Sequence, residues 1–204
     1  MTPTRRYFDK HARSFDRLYE SQGVTARLRR GPKRSRDLAA AVVARHSAPH
    51  VLDVGCGPGR VAEAVLEAGA ARYVGLDLSA EMLALARRRV DDHAEVELVE
   101  GDFLDLDPPG MFDVVLALGL FDYLPEARPG AAWMRARCTS TLVASFSRWD
   151  RVKAPLRRLY YALYGCPLFN YTEAGAEELL RDAGFSGVKF VSRGPRGFLV
   201  VARA

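Results

Sequence analysis

The spacing of apolar residues changes period along this chain. Residues 4 to about 47 read as helical: Arg13, Ser14, Phe15, Leu18 and Tyr19 form an amphipathic stretch, and a second apolar face runs from Leu38 to Val43. From Val51 onward, short β-rich apolar runs alternate with helical repeats. The runs at residues 51–54, 71–76, 96–100, 112–118 and 141–146 predict five strands, with helices after the first, second and fourth. Residues 151–164 and 173–183 predict two more helices, the second stopped by Gly184. Two final strands, residues 188–192 and 198–202, flank Arg-Gly-Pro-Arg-Gly, a turn signal that predicts an antiparallel hairpin at a sheet edge. Strands alternating with helices imply an α/β fold: a doubly wound, seven-stranded, mostly parallel sheet closed by that C-terminal hairpin.

At 204 residues this is one domain, large enough to bury a full core. Its expected parts are an N-terminal helical cap (1–47), a nucleotide-type core (48–147), an insertion (148–172) and a C-terminal helix with the hairpin (173–204). Ligands of such sheets sit outside the carboxyl ends of the strands. The cap and the insertion are expected to cover that edge as a lid, since they carry Tyr7, Phe8, Phe15, Tyr19, Tyr160, Tyr161, Tyr164, Phe169 and Tyr171.

The chemistry concentrates after the first strand. Val51-Leu52-Asp53-Val54 runs directly into Gly55-Cys56-Gly57-Pro58-Gly59, and a helical repeat resumes at Val61. Glycines at alternate positions let the backbone turn sharply and lie against a ligand, and the helix start offers free N–H groups to a negative group. A dinucleotide loop would place its third glycine at the position of Arg60, and no Gly-Lys-Ser/Thr follows as in a P-loop. Asp77 ends the second strand 22 residues after Gly55, a placement that suits the two hydroxyls of a ribose. Ser79 is positioned to cap the next helix.

The wording Leu-Asp-Val-Gly-Cys-Gly-Pro-Gly resembles the first motif of class I, Rossmann-like methyltransferases, which bind S-adenosylmethionine (SAM) and release S-adenosylhomocysteine. The resemblance covers residues 50–125 strongly and the remainder in outline. It implies that Gly55, Cys56, Gly57 and Gly59 line the cofactor, with Asp53 bracing the loop from below. It assigns Asp77 to the ribose, Leu78 and Met82 to the adenine faces, Asp102 to the adenine amine and Phe103 to an apolar wall. Leu118 ends the fourth strand at the site, and Tyr19 is placed at the methionine end. Tyr123 and Asp122, just beyond the fourth strand, fall where the family holds acceptor-side residues and are the candidate catalytic pair. The N-terminal Phe15, Asp16, Arg17 and Tyr19 are similar to a segment of magnesium-protoporphyrin methyltransferases. Those enzymes have a histidine where this chain has Asp122, a departure that argues against a porphyrin acceptor.

Composition narrows the partners. The net charge is +5, and only Lys10, Lys33, Lys153 and Lys189 among the 30 basic residues are not arginine. Basic clusters at residues 27–36 and 148–158 read first as solvated faces, with an acidic substrate, anionic lipid or nucleic acid as the functional alternatives. Cys56, Cys138 and Cys166 suggest neither disulfides nor a zinc cluster, and the four histidines are not spaced for a metal. No apolar run reaches the length of a membrane span, and no leader is evident, so a cytoplasmic protein is expected. A nucleic-acid acceptor is disfavoured because Asp107-Pro108-Pro109-Gly110 lies before the fourth strand and lacks an aromatic residue. The expected function is methyl transfer to a small, aromatic or hydrophobic acceptor. The alternatives are nucleic-acid methylation or SAM binding without transfer.

Overall fold

The computed structural model describes residues 2–20, 26–90, 93–149, 159, 161–162, 165–194 and 196–204. Two helices, α1 (Pro3–Glu20) and α2 (Ala26–Val43), precede the sheet. There follow β1 (His50–Val54), α3 (Arg60–Glu67), β2 (Arg72–Asp77), α4 (Ala80–Val90), β3 (Val96–Glu100) and β4 (Phe112–Ala117). The chain closes with α5 (Ala127–Arg137), β5 (Cys138–Ser147), α6 (Glu173–Asp182), β6 (Ser186–Arg193) and β7 (Gly197–Arg203). Short 3-10 turns at Phe103–Asp105 and Phe121–Tyr123 follow β3 and β4. The expected helix at 151–164 lies largely outside the described residues.

The strands form one sheet in the order β3-β2-β1-β4-β5-β7-β6. β1 pairs in parallel with both β2 and β4, so the winding reverses between β1 and β4 and leaves a crevice at their carboxyl ends. The hairpin is antiparallel as expected, and β7 enters the sheet between β5 and β6. β5 is longer than its apolar run predicts, because Cys138, Thr139 and Ser140 extend it to meet β4 at Phe112.

Side chains alternate across the strands and fill two cores. Leu52, Val54, Leu76, Val115, Ala117, Leu142 and Phe146 face α5 and α6, meeting Met134, Leu179 and Leu180. Val51, Tyr73, Val114, Leu116 and Val143 face the other way, meeting Val43, Val65 and Leu83 from α2, α3 and α4. Both faces are buried, which is why the strands read as continuous apolar runs. Among the described residues no helix is long and apolar enough to cross a membrane.

Leu52 is fully buried at the centre of the sheet. Leu52→Ala should therefore cost about 3 kcal/mol in urea unfolding, the usual toll of a cavity in a tight core. A loss under about 1 kcal/mol would mean that this core relaxes to fill the gap.

Candidate functional site

The loop after β1 is held from the end of β2. The Leu76 carbonyl accepts from the amides of Gly55 at 2.8 Å and Cys56 at 3.0 Å. The Asp77 carboxylate accepts from the Gly57 amide at 2.8 Å through one oxygen and from the Ser79 amide at 2.9 Å through the other. Gly55, Gly57 and Gly59 all have left-handed φ values, of 76°, 55° and 79°. They serve different ends. A Cβ on Gly59 would stand 2.9 Å from the Ala86 Cα, so this glycine lets α4 pack against the loop. A Cβ on Gly57 would meet nothing within 4 Å, so its backbone faces open space. Ser79 caps α4 through the Met82 amide at 3.2 Å, and Met82 is buried beneath the loop–helix junction.

Asp53 sits in a different environment from the one expected. Its carboxylate is 1% exposed and accepts from the Tyr73 hydroxyl at 2.8 Å. The loop amides it was expected to brace are taken by Leu76 and Asp77, so Asp53 supports β1 against β2 and the loop is held from the side. Burial pushes its pKa up to about 7, against the lowering effect of the Tyr73 hydroxyl and with the Asp77 charge adding to the rise. Burial likewise raises Asp77, opposed by the Ser79 and Gly57 amides and reinforced by Asp9. The Cys56 thiol is buried, and its pKa is driven well up by that burial, which leaves it inert.

After β3, Asp102 caps the 3-10 turn by accepting from the Leu104 amide at 3.1 Å. Phe103 points into the core, edge-on to Trp133 at 5.2 Å, rather than lining an open wall. Leu78 is half-buried beside Asp77, and Leu118, just past the end of β4, is also half-buried. After β4, Asp122 is buried and accepts from the Ser147 amide at 2.7 Å and the Ser147 hydroxyl at 2.5 Å. Its carboxylate thus ties the turn to the end of β5. Tyr123 on the same turn is half-buried, edge-on to Phe8 at 5.0 Å and 6.4 Å from Tyr161. The Tyr171 hydroxyl donates to the Phe121 carbonyl, and the Asn170 amide donates to the Arg148 carbonyl. The side chain of Tyr19 lies outside the described residues, as does most of the second basic cluster. Among the described residues no group of histidines, cysteines and acids is arranged to hold a metal.

Helix α1 is tied to three strand ends, contacts that spacing alone did not single out. Arg5 pairs with Glu100 at the end of β3. The Ser79 hydroxyl donates to Asp9 at 2.6 Å. Asp16 accepts from Arg60 Nε at 2.9 Å and from Arg89 Nη2 at 2.7 Å. The same Arg89 donates to the Pro58 carbonyl inside the glycine loop. Burial raises the Asp16 carboxyl, but the hydrogen bonds and charges of Arg89 and Arg60 outweigh it and hold the pKa below its ordinary value. A sequence signal existed: Arg5, Asp9, Ala12 and Asp16 share one helical face, and Arg60 stands where a dinucleotide loop has glycine.

Fold and loop define a doubly wound α/β protein with a nucleotide-type crevice at its switch point. Residues 51–139 match the family described as "Methyltransferase domain". A trans-aconitate 2-methyltransferase of Rhizobium etli is 38% identical over 93 residues, which cover 45% of this chain and 35% of that protein. A cypemycin N-terminal methyltransferase of a Streptomyces species is 50% identical over 66 residues, covering 32% and 26% respectively. The matched stretches thus span about a third or less of these relatives. The magnesium protoporphyrin IX methyltransferase of Synechocystis, solved with bound S-adenosylhomocysteine, superposes with a TM-score of 0.79 at 21% identity. That superposition covers 98% of this chain and 97% of the other, so the fold extends to α1 and the hairpin.

Asp53 supplies a pH test. Its raised pKa means that its share of stability is complete below the ordinary value of 3.8 and is lost as the pH climbs through about 7. Unfolding free energy should fall across that window, and Asp53→Asn should flatten the fall. Urea titrations at stepped pH measure both slopes, and equal slopes would show that Asp53 is already charged at pH 4.

Proposed function

We propose that this chain transfers the methyl group of SAM to a small-molecule acceptor. The observation that carries the reading is the Asp77 carboxylate, held at the end of β2 by the Gly57 and Ser79 amides beside a loop whose Gly57 backbone faces open space. The donor set fits the cofactor: a fixed carboxylate for two vicinal hydroxyls, bare backbone for close approach, and a helix start beyond it. Gly55, Gly57 and Gly59 would hold the methionine side, and Asp77 the ribose. Leu78, Met82 and Asp102 would hold the adenine, with Cys56 and Leu118 as close-packed walls. Phe103 supports that wall from within the core, edge-on to Trp133. Asp53 acts at one remove, by fixing β2 through Tyr73.

When bound, SAM supplies a methyl group on a positively charged sulfur, ready for in-line displacement. The chain's own residues then have three tasks: orient the acceptor, exclude water and take up a proton where the acceptor must lose one. Tyr123 is the residue we assign to the acceptor, since it lies half-buried between α1 and the segment containing Tyr161. Asp122 is assigned to hold Tyr123 in place, because Ser147 occupies both of its oxygens. Phe8 and Tyr161 wall the same space with aromatic surface, which favours an aromatic or hydrophobic acceptor. The relatives act by their names on trans-aconitate, the N-terminus of cypemycin and magnesium protoporphyrin IX, a range that leaves O- and N-transfer equally open for this chain.

Asp77→Ala should weaken SAM binding by about 1–3 kcal/mol in calorimetric titration, the cost of stranding polar partners. Unchanged affinity would move the ribose elsewhere. Incubation with methyl-tritiated SAM and fractionated bacterial extract tests the acceptor class. Label resistant to nuclease and protease supports a small molecule, and label in RNA or protein overturns that class while leaving the fold intact.

A further inference from the structure

We propose that Asp16 is a positioning residue that couples the glycine loop to the acceptor wall, by latching α1 across the crevice. The inference rests on the cofactor and acceptor assignments above. One face of α1 carries Arg5, Asp9 and Asp16 to Glu100, Ser79 and the Arg60–Arg89 pair, and so crosses the ends of β3, β2 and β1. Away from that face the same helix presents aromatic surface: Tyr7 is 5.7 Å from Tyr161, and Phe8 is 5.0 Å from Tyr123. Where α1 sits therefore decides where the acceptor wall sits.

The three attachments are unequal. Arg5 and Glu100 are about a third exposed, so water and salt screen their attraction. Asp9 reaches the sheet through the Ser79 hydroxyl, beside the like charge of Asp77, and pairs with Arg5 of its own helix at 3.8 Å. Asp16 is 9% exposed and receives charged donors from two arginines, while Arg60 also donates to its main-chain carbonyl at 2.9 Å. Charge-assisted bonds of this kind are roughly twice as strong as neutral ones. Arg60 opens α3 directly after Gly59, and Arg89 reaches back to Pro58. Both arginines are thus fixed to the loop that cradles the cofactor, so a displaced loop displaces Asp16 with it. Removal of the Asp16 charge would also leave two guanidinium groups facing each other across the latch, a repulsion that drives α1 outward.

The test compares the unaltered 204-residue chain with Asp16→Asn, which keeps the shape and removes the charge, and with Asp16→Glu, which keeps the charge. Two readouts are taken: amide hydrogen exchange of α1 by mass spectrometry, and the release rate of S-adenosylhomocysteine in stopped flow. Asp16→Asn should speed both by about tenfold or more, the equivalent of one to two charge-assisted hydrogen bonds. Asp16→Glu should restore both toward the wild-type rates. Added salt should speed release from the wild type more than from Asp16→Asn, which keeps the exposed Arg5–Glu100 pair to be screened. Unchanged release, with or without faster exchange, would overturn the coupling. Failure of the wild type to bind SAM or its product would instead defeat the functional reading, and the exchange data would still judge the latch.

Discussion

A carboxylate and a carbonyl at the end of β2 organise this molecule. Leu76 and Asp77 between them accept the amides of Gly55, Cys56 and Gly57, and Asp77 also accepts the Ser79 amide. These bonds fix a left-handed loop that would otherwise be a costly, mobile turn, because each glycine surrenders unusual backbone freedom on folding. The register of β1 against β2 places Val54 opposite Leu76, and this sets the loop at the height where Asp77 can reach it. α3 and α4 both start from the same few residues, so their packing follows from this one arrangement.

Above it lies a second, more polar layer. Among the described residues α1 buries Tyr7 and Ala12, sets Phe8 against Tyr123, and is tied down by polar contacts: arginine to glutamate, serine to aspartate, aspartate to two arginines. A sheet stapled to its helices by apolar side chains stays closed over the whole range of solution conditions in which the protein folds. A helix attached mainly by ion pairs answers to salt and to its ligands. The division suits a site that must admit and release a cofactor without loosening its floor.

Much of this could be read in the sequence, and the exceptions have identifiable causes. β3 and α4 fall at the expected residues, since their apolar periods are clean and Ser79 marks a cap. The start of α5 is not legible, because Ala127-Arg128-Pro129-Gly130 reads as a turn. Proline is tolerated there, within the first turn, and Gly130 is required where Leu124 and Phe103 approach to 3.1 and 3.2 Å of a side-chain position. Asp53 was read as a brace for the loop, since period-two alternation gives a residue's face but not its partner; Tyr73 lies on the next strand and directs it away. Phe103 shows the same limit, since a residue after a strand end can turn either to the crevice or to the core. Asp16 lies on a polar helical face that the sequence does show, but its partners stand 44 and 73 positions away, and no local pattern names them.

The place of β7 has a consequence for synthesis of the chain. β5 is ten residues long and has β4 on one side and β7 on the other, yet β7 starts about fifty residues after β5 ends. Ribosomes add roughly 5–20 residues per second, so a nascent chain would carry β5 as an open edge for a few seconds. That edge includes Leu142, Val143, Ala144 and Phe146, a run of the kind that recruits foreign strands. Cellular yield of this protein should therefore be governed less by the stability of the finished sheet than by what shelters one unpaired strand while the ribosome finishes its neighbour.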